Sequence, residues 1–191
     1  MENAHLIWNE KSGKDLLKNR IFTIRERVCA SPEGREGTFS VIQCPDWAIV
    51  IPLLERPAGD SFVMVRQWRH GSRSLSLEFP GGVCEAGEEP EAAAARELTE
   101  ETAYLPGRIL KLGEMSPNPA IMTNRVHFFL AENVRDTGNR NLDADEYVDV
   151  EIVPAETVIQ NMGKPPYIHS LMAAALMLYL RTGGAAKNHG P

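Results

Sequence analysis

The sequence is poor in cysteine, and the three that it has, Cys29, Cys44 and Cys84, are odd in number and widely spaced. They form no CxxC motif and no cysteine/histidine ligand pattern, so neither a disulfide framework nor a structural zinc site is predicted. A reducing cytoplasm is the location that this use of cysteine favours.

Long hydrophobic runs are also missing. The most apolar segment, residues 171–180, is shorter than the roughly 20 apolar residues that a membrane-spanning helix needs. The N-terminal stretch MENAHLIWNEKSGKD has no basic region followed by an apolar one. Neither secretion nor membrane insertion is therefore expected.

Positive charge is in deficit, since 20 lysines and arginines stand against 26 acidic residues and give a net charge of −6. Such a chain has little electrostatic basis for gripping a nucleic acid backbone, and it shows no helix-turn-helix motif or basic arm. The charge suits an anionic ligand that arrives with a cation such as magnesium. With 191 residues and 43% hydrophobic content, the chain can bury the core of one domain with a small appendage.

The local patterns predict an α/β protein. Segments that are rich in β-branched and aromatic residues predict strands at 22–30, 38–43, 47–54, 61–67, 109–112, 126–131 and 147–152. Helices are predicted at 90–102, 155–162 and 168–181, and Pro90 suits a first helical position. We expect a small N-terminal β subdomain over residues 1–45, an α/β domain over 46–185 and a flexible tail over 186–191.

A cluster of carboxylates lies in the helix predicted to begin at Pro90. Glu97, Glu100 and Glu101 stand at i, i+3 and i+4, so a helix places them side by side on one face. They also lie near its C-terminal end, where the helix dipole disfavours each carboxylate by roughly 0.3–1 kcal/mol. A hard divalent cation reverses this penalty, because carboxylate oxygens are natural ligands of Mg²⁺. An isolated ExxEE is more often a solvated acidic face, so the surrounding residues decide.

Those residues complete a pattern that resembles the Nudix box, GX5EX7REUXEEXGU, where U is a bulky apolar residue. Gly82 opens the pattern, Glu88 and then RELTEETAY follow at the required spacing, and Ala103 stands where the family has glycine. The segments LEFPGG and VRQWRHG resemble the ADP-ribose pyrophosphatase branch of this family. The resemblance implies a Nudix-type α/β/α sandwich with a mixed sheet, preceded by the small N-terminal β subdomain.

The resemblance also implies a metal site that holds Mg²⁺, with Mn²⁺ as a substitute. Glu97 and Glu101 match the main metal ligands, and Glu100 matches a further ligand or a partner of a metal-bound water. The backbone carbonyl of Gly81 would complete the set. Arg96 would orient the glutamates by ion pairing.

The general base in this branch resembles a glutamate in a loop downstream of the box. Glu146, which precedes YVDV, is the match, and Asp143 and Asp145 in the same loop are alternatives. A glutamate of the box itself is the other source of a base.

Substrate contacts are implied outside the box. Arg69 resembles the arginine that approaches the diphosphate or the terminal ribose, and Arg66 is a second candidate. Phe39 is the best match for the aromatic side chain that stacks on adenine, in some relatives across a dimer interface. Trp47 and Trp68 fit the hydrophobic core equally well.

The activity implied by the resemblance is magnesium-dependent hydrolysis of the diphosphate bond in a nucleoside diphosphate linked to another moiety. ADP-ribose, cleaved to AMP and ribose 5-phosphate, is the leading substrate, and GDP-sugars and dinucleotides are alternatives. A noncatalytic nucleotide-sugar sensing module is a further alternative, which the retained glutamates disfavour. A homodimer is expected, because a short strand-rich appendage has exposed edges. No nucleic acid or membrane partner is expected.

Overall fold

The protein is described by a computed structural model that covers residues 3–57, 59–142 and 147–184. After a 3-10 turn at Ala4–Leu6, its helices are α1 (Pro90–Thr102), α2 (Ala155–Asn161) and α3 (Ser170–Arg181). Its strands are β1 (Asn9–Lys18), β2 (Thr23–Ala30), β3 (Glu36–Gln43), β4 (Trp47–Leu54), β5 (Ser61–Arg69), β6 (Ser74–Glu78), β7 (Gly81–Val83), β8 (Tyr104–Leu105), β9 (Arg108–Met115), β10 (Val126–Glu132), β11 (Arg135–Asp136) and β12 (Val148–Pro154). No helix in these ranges is long and apolar enough to cross a membrane.

The chain divides into two compact units. Unit 1 contains the residues as far as Pro45 together with Ser116–Arg125, and unit 2 contains Asp46–Met115 and the residues from Val126 onward. Unit 1 holds an antiparallel sheet in the order β1-β2-β3. A parallel bridge between Ile42 and Met122 joins its two segments of chain.

Strand β1 was not predicted from the sequence. All of its residues are exposed, so it lacks the alternation of apolar and polar side chains that marks a half-buried strand. Its pairing with β2 is reinforced by ion pairs, with 2.9 Å between Asp15 and Arg25 and 3.0 Å between Lys14 and Glu26. The extended conformation of β1 thus depends on its pairing with β2.

Unit 2 is built on a seven-stranded mixed sheet. The order is β12-β5-β4-β10-β9, with β6 paired to β5 and β7 paired to β4. Strands β4 and β10 run parallel, and the other pairs in this sheet are antiparallel. The mixed sheet predicted from the resemblance is therefore confirmed.

Helices cover both faces of this sheet. In β4, Ile49 and Ile51 belong to the cluster that contains α2 and α3, while Ala48 and Val50 belong to the cluster that contains α1. Because side chains alternate between faces, a strand covered on both sides reads as the continuous apolar run WAIVIPLL. This arrangement confirms the predicted sandwich.

Helix α1 begins at Pro90 and ends at Thr102, as predicted. Its C-cap, Ala103, has φ 65° and so lies in the left-handed region that usually favours glycine. The helix predicted at 168–181 begins at Ser170, because His169 acts as its N-cap and accepts a hydrogen bond from the Leu171 N–H at 3.1 Å. Helix α2 ends at Asn161, close to its predicted end.

Candidate active site

The turn at β7 brings backbone and carboxylates unusually close together. A Cβ at position 82 would clash with the Glu97 carboxylate, and one at position 81 would clash with the Ala48 carbonyl. The Gly81 N–H donates to Oε2 of Glu101 at 3.0 Å. Glycine at both positions therefore lets β7 approach β4 on one side and the acidic face of α1 on the other.

The glutamates of this face differ in burial. Glu97 is 9% exposed and Glu101 is 4% exposed, whereas Glu100 is only partly buried. Buried carboxylates are unfavourable unless a cation or hydrogen-bond donors compensate them. The two residues that match the main metal ligands are thus the two that most need compensation.

Arg96 supplies part of this compensation. Its Nε and Nη2 donate to the two oxygens of Glu88 at 2.9 and 3.0 Å, and its Nη1 donates to Glu97 at 2.9 Å and Glu100 at 3.0 Å. Nη2 also donates to the Val83 carbonyl at 3.1 Å. The hydrogen bonds to Glu88 are the largest cause of a raised pKa for Arg96, and the same bonds lower the pKa of Glu88. Arg96 thus contacts Glu88, Glu97 and Glu100, and its role in positioning the acidic face stays a prediction.

The donor set is suited to magnesium. Carboxylate oxygens are the hard ligands that Mg²⁺ prefers, and Glu97 and Glu101 bring two of them, largely buried, to the Gly81 turn. Among the residues that the structure describes, no three His, Cys, Asp or Glu side chains stand in a preassembled metal-holding arrangement. Instead, Glu97 and Glu100 both accept from Arg96. The chemistry of the ligands fits, and binding requires these hydrogen bonds to be shared or rearranged.

Arg69 lies beside this turn. It donates from Nε and Nη2 to the two oxygens of Glu78 at 2.9 and 2.6 Å, and Glu78 is only 1% exposed. Both residues line a cavity of about 200 Å³ that runs past Gly81 to His169. The structure thus brings the predicted substrate arginine and the predicted metal-binding turn to one cavity.

The sequence did not predict the two other ionisable residues that line this cavity, Glu78 and His169. The signal for Glu78 was a single charge inside the otherwise apolar run LEFP, which indicates a buried and paired carboxylate. No local signal singled out His169, because its place in the cavity depends on how α3 packs on the sheet.

Other predicted substrate residues lie elsewhere. Arg66 donates two hydrogen bonds to Glu151 on β12 and does not line the cavity at Gly81. Phe39 lies in unit 1, is 46% exposed and packs edge-on against Trp8 with 5.3 Å between ring centroids. Trp68 is 49% exposed, so the alternative that it belongs to the hydrophobic core is not supported.

The candidate general base, Glu146, and its alternatives, Asp143 and Asp145, lie outside the described residues. The described chain just before them docks on α1, since the Asn141 N–H donates to the Glu100 carbonyl at 3.3 Å. Asn141 therefore lies at the end of the helix that carries the glutamates.

Comparison with known proteins agrees with these features. A family model described as the NUDIX domain matches residues 45–173. The ADP-ribose pyrophosphatase of Bacillus subtilis (strain 168) is 32% identical over 130 residues, which cover 68% of this chain and 69% of that protein. The GDP-mannose pyrophosphatase of Klebsiella pneumoniae is 34% identical over 131 residues, covering 64% of this chain and 65% of that protein.

Two further comparisons bear on the branch and on the fold. The ADP-sugar pyrophosphatase of Mus musculus is 41% identical over 108 residues, or 52% of this chain and about half (48%) of that protein. A crystal structure of an ADP compounds hydrolase superimposes with a TM-score of 0.82, covering 97% of this chain and 98% of that one at 18% identity, which is a likeness of fold. Since the family model spans well over half of the chain and carries the glutamates at the Gly81 turn, this protein belongs to the Nudix hydrolases, in their ADP-ribose pyrophosphatase-like branch.

Proposed function

We propose that this hydrolase cleaves the diphosphate bond of ADP-ribose and releases AMP and ribose 5-phosphate. The observation that carries this proposal is the pair of buried carboxylates, Glu97 and Glu101, at the Gly81 turn, which lines the same cavity as Arg69. Relatives named ADP-ribose, ADP-sugar and GDP-mannose pyrophosphatase support the wider class, the nucleoside diphosphate sugars.

The acidic face of α1 would hold the divalent cation. Glu97 and Glu101 would be the main ligands of Mg²⁺, or of Mn²⁺ in its place, with Glu100 and the Gly81 carbonyl as further ligands. When bound, such an ion neutralises diphosphate charge and makes a water molecule more acidic. Arg96 would keep the glutamates in place through the hydrogen bonds that it already makes.

Other side chains would bind and orient the substrate. Arg69 uses two of its five N–H donors on Glu78, and the others can bind a phosphate oxygen. Arg66 is a secondary candidate, since Glu151 already engages it. Phe39 would stack on the base, because its ring is half exposed in the monomer.

The general base would come from the stretch of chain that follows Asn141. Glu146 would accept a proton from the attacking water as the water oxygen bonds to phosphorus. The bond from that phosphorus to the bridging oxygen breaks, and the second phosphate leaves with the bridging oxygen. The docking of Asn141 on the end of α1 supports this assignment.

A cytoplasmic homodimer, formed through the N-terminal strands, is the setting that we propose for this reaction. No nucleic acid or membrane takes part in it. The exposed apolar side chains of unit 1, which include Leu16, Leu17 and Ile21, support self-association.

The proposal is tested by incubating the purified protein with ADP-ribose and Mg²⁺ and identifying the products. We expect AMP and ribose 5-phosphate, no product in EDTA and slow turnover of nucleoside triphosphates. Glu97→Gln and Glu101→Gln should each lower kcat by at least about a hundredfold without unfolding the protein, because they weaken metal binding without creating a cavity. Rates close to wild type in either variant would refute the metal site.

The general base is tested separately with Glu146→Gln. We expect kcat to fall far more than substrate binding, because the variant keeps the size of the side chain and loses the proton acceptor. Asp143→Asn and Asp145→Asn are matched controls from the same loop and should keep kcat within about threefold of wild type. A larger loss in either control would indicate that this aspartate is the general base.

GDP-sugars are the second candidate substrates, because the GDP-mannose pyrophosphatase of Klebsiella pneumoniae is as similar in identity as the ADP-ribose relative. If GDP-mannose is turned over faster than ADP-ribose, the proposed reaction stands but its substrate is a GDP-sugar. If no nucleoside diphosphate derivative is cleaved with any divalent metal, the protein would instead be a noncatalytic sensing module.

A further inference from the structure

Two cavities of unit 2 share three residues. The first is the cavity of about 200 Å³ that borders β7. The second, of about 540 Å³, extends past the end of β5 along Trp68 and His70. Arg69, Glu78 and His169 line both, so they form the junction between the two spaces. A ligand that starts at the Gly81 turn and is longer than the first cavity can extend past this junction into the second cavity.

His169 has a defined hydrogen-bonding state at the junction. Its Nδ1 accepts from the Leu171 N–H at 3.1 Å, so Nδ1 carries no proton. The proton of the neutral ring is therefore on Nε2. Burial lowers the pKa of His169 and further favours this neutral form. Within the described ranges, no hydrogen bond joins Nε2 to another residue, so a donor is left for a ligand in the cavity.

The junction offers hydrogen bonds without a net positive charge. Burial raises the pKa of Glu78, but the hydrogen bonds and charge of Arg69 outweigh it and hold that pKa below its ordinary value. Glu78 is thus ionised near neutral pH and offsets the charge of Arg69, while His169 is neutral. A further phosphate would need an uncompensated cation here, whereas the hydroxyl groups of a sugar need neutral donors and acceptors. The half-exposed ring of Trp68 adds an apolar surface for the C–H groups of such a sugar.

We propose that the second cavity is the sugar subsite, and that His169 selects the sugar by donating from Nε2–H to one of its hydroxyl oxygens. This inference rests on the proposed function, since it names the residue that distinguishes a sugar-linked nucleoside diphosphate from a simple one. Glu78 acts as a positioning residue, because it holds the guanidinium of Arg69 at the junction.

The test compares the binding of ADP-ribose and ADP, which differ by the sugar, to wild type and to His169→Ser. Serine is a preferred N-cap residue, so it can accept from the Leu171 N–H and keep α3 in place while the Nε2–H donor is removed. Isothermal titration in EDTA at low temperature measures affinity without turnover, and thermal melting confirms that the variant is folded.

We expect His169→Ser to lose at least about fivefold in affinity for ADP-ribose and to stay within about twofold for ADP. Equal losses for both ligands, or no loss for ADP-ribose, would overturn the proposal. It would also be overturned if the wild type bound ADP-ribose no more tightly than ADP. Because cleavage is not needed for these measurements, failure of the subsite and failure of the proposed reaction give different results.

Discussion

At the scale of single residues, the candidate site depends on charges that are buried and paired. Glu78 is almost fully buried, yet its pKa is lowered, because Arg69 supplies two hydrogen bonds and an opposite charge. The carboxylate of Glu97 accepts a hydrogen bond from Arg96, and that of Glu101 accepts one from the backbone N–H of Gly81. Removing one partner leaves an uncompensated buried charge, which is more destabilising than removing an exposed ion pair.

Glu78 contributes to the free energy of unfolding, and this contribution depends on pH. Replacing Arg69 should reverse the direction of that dependence. In the wild type the folded pKa lies below the ordinary 4.5, so this contribution is present above that pH and is lost as pH falls through the folded pKa. In Arg69→Met, burial remains and raises the folded pKa, so stability is lost as pH rises from about 4.5 through the new pKa. The difference in unfolding free energy between the two proteins should widen with pH, with a slope of at most about 1.4 kcal/mol per unit. Urea unfolding at several pH values between about 4 and 7 measures it.

Arg66→Met is the matched control, because Arg66 makes a similar pair with Glu151, which is much more exposed than Glu78. Its effect on stability should be small and nearly constant over the same pH range. A pH-independent difference for Arg69→Met would contradict the linkage of Arg69 to Glu78.

At the scale of secondary structure, the end of α1 carries a strained residue. Ala103 adopts φ 65°, and a non-glycine residue in the left-handed region is less favourable by roughly 1–2 kcal/mol. Its methyl group is buried, and losing it removes about 0.8 kcal/mol of burial. The family pattern has glycine here, so this chain retains strain next to Glu100 and Glu101.

Ala103→Gly should consequently stabilise the protein by up to about 1 kcal/mol, because relief of backbone strain exceeds the loss of the methyl group. Ala94→Gly makes the same chemical change at a buried position inside α1 and should destabilise the protein by at least about 1 kcal/mol. Thermal unfolding of both variants provides the comparison. If both are destabilised to the same extent, the conformation of Ala103 is not under strain.

At the scale of the whole molecule, unit 1 exposes several large apolar side chains. Every residue of β1 is exposed, including Leu16 and Leu17, and Ile21 is exposed in the turn that follows. Such surfaces mark sites of association, and the exposed edge of a sheet invites pairing.

Light scattering at micromolar concentration should accordingly give a mass near twice 21.2 kDa. Leu17→Lys should weaken the dimer, because it places a charge in the apolar surface of unit 1. Met177→Lys, on an exposed position of α3, is the control that should leave the mass unchanged. A wild-type mass of 21.2 kDa would show that the protein is a monomer.

The sequence by itself determined the features that depend on short stretches of chain. The bounds of α1 follow from Pro90 and the alanine run, and its acidic face follows from helical spacing alone. The consecutive glycines of the Pro-Gly-Gly turn allow a close approach of the backbone, but the neighbours that β7 approaches were not predicted. Strands β4, β5 and β10 could be predicted because burial on both faces of a sheet leaves apolar runs. Strands β6 and β7 were not predicted.

Only the tertiary structure decided which distant residues meet at the site. The side chains of Arg69 on β5 and Glu78 on β6 meet although the strand register pairs Arg69 with Ser74 and Glu78 with Val65. The packing of α3 on the sheet carries His169 to the same cavity. Strand β1 is likewise visible only beside β2, because both of its faces are exposed. Such contacts depend on strand register and helix packing, and no local pattern of residues encodes a partner that lies far along the chain.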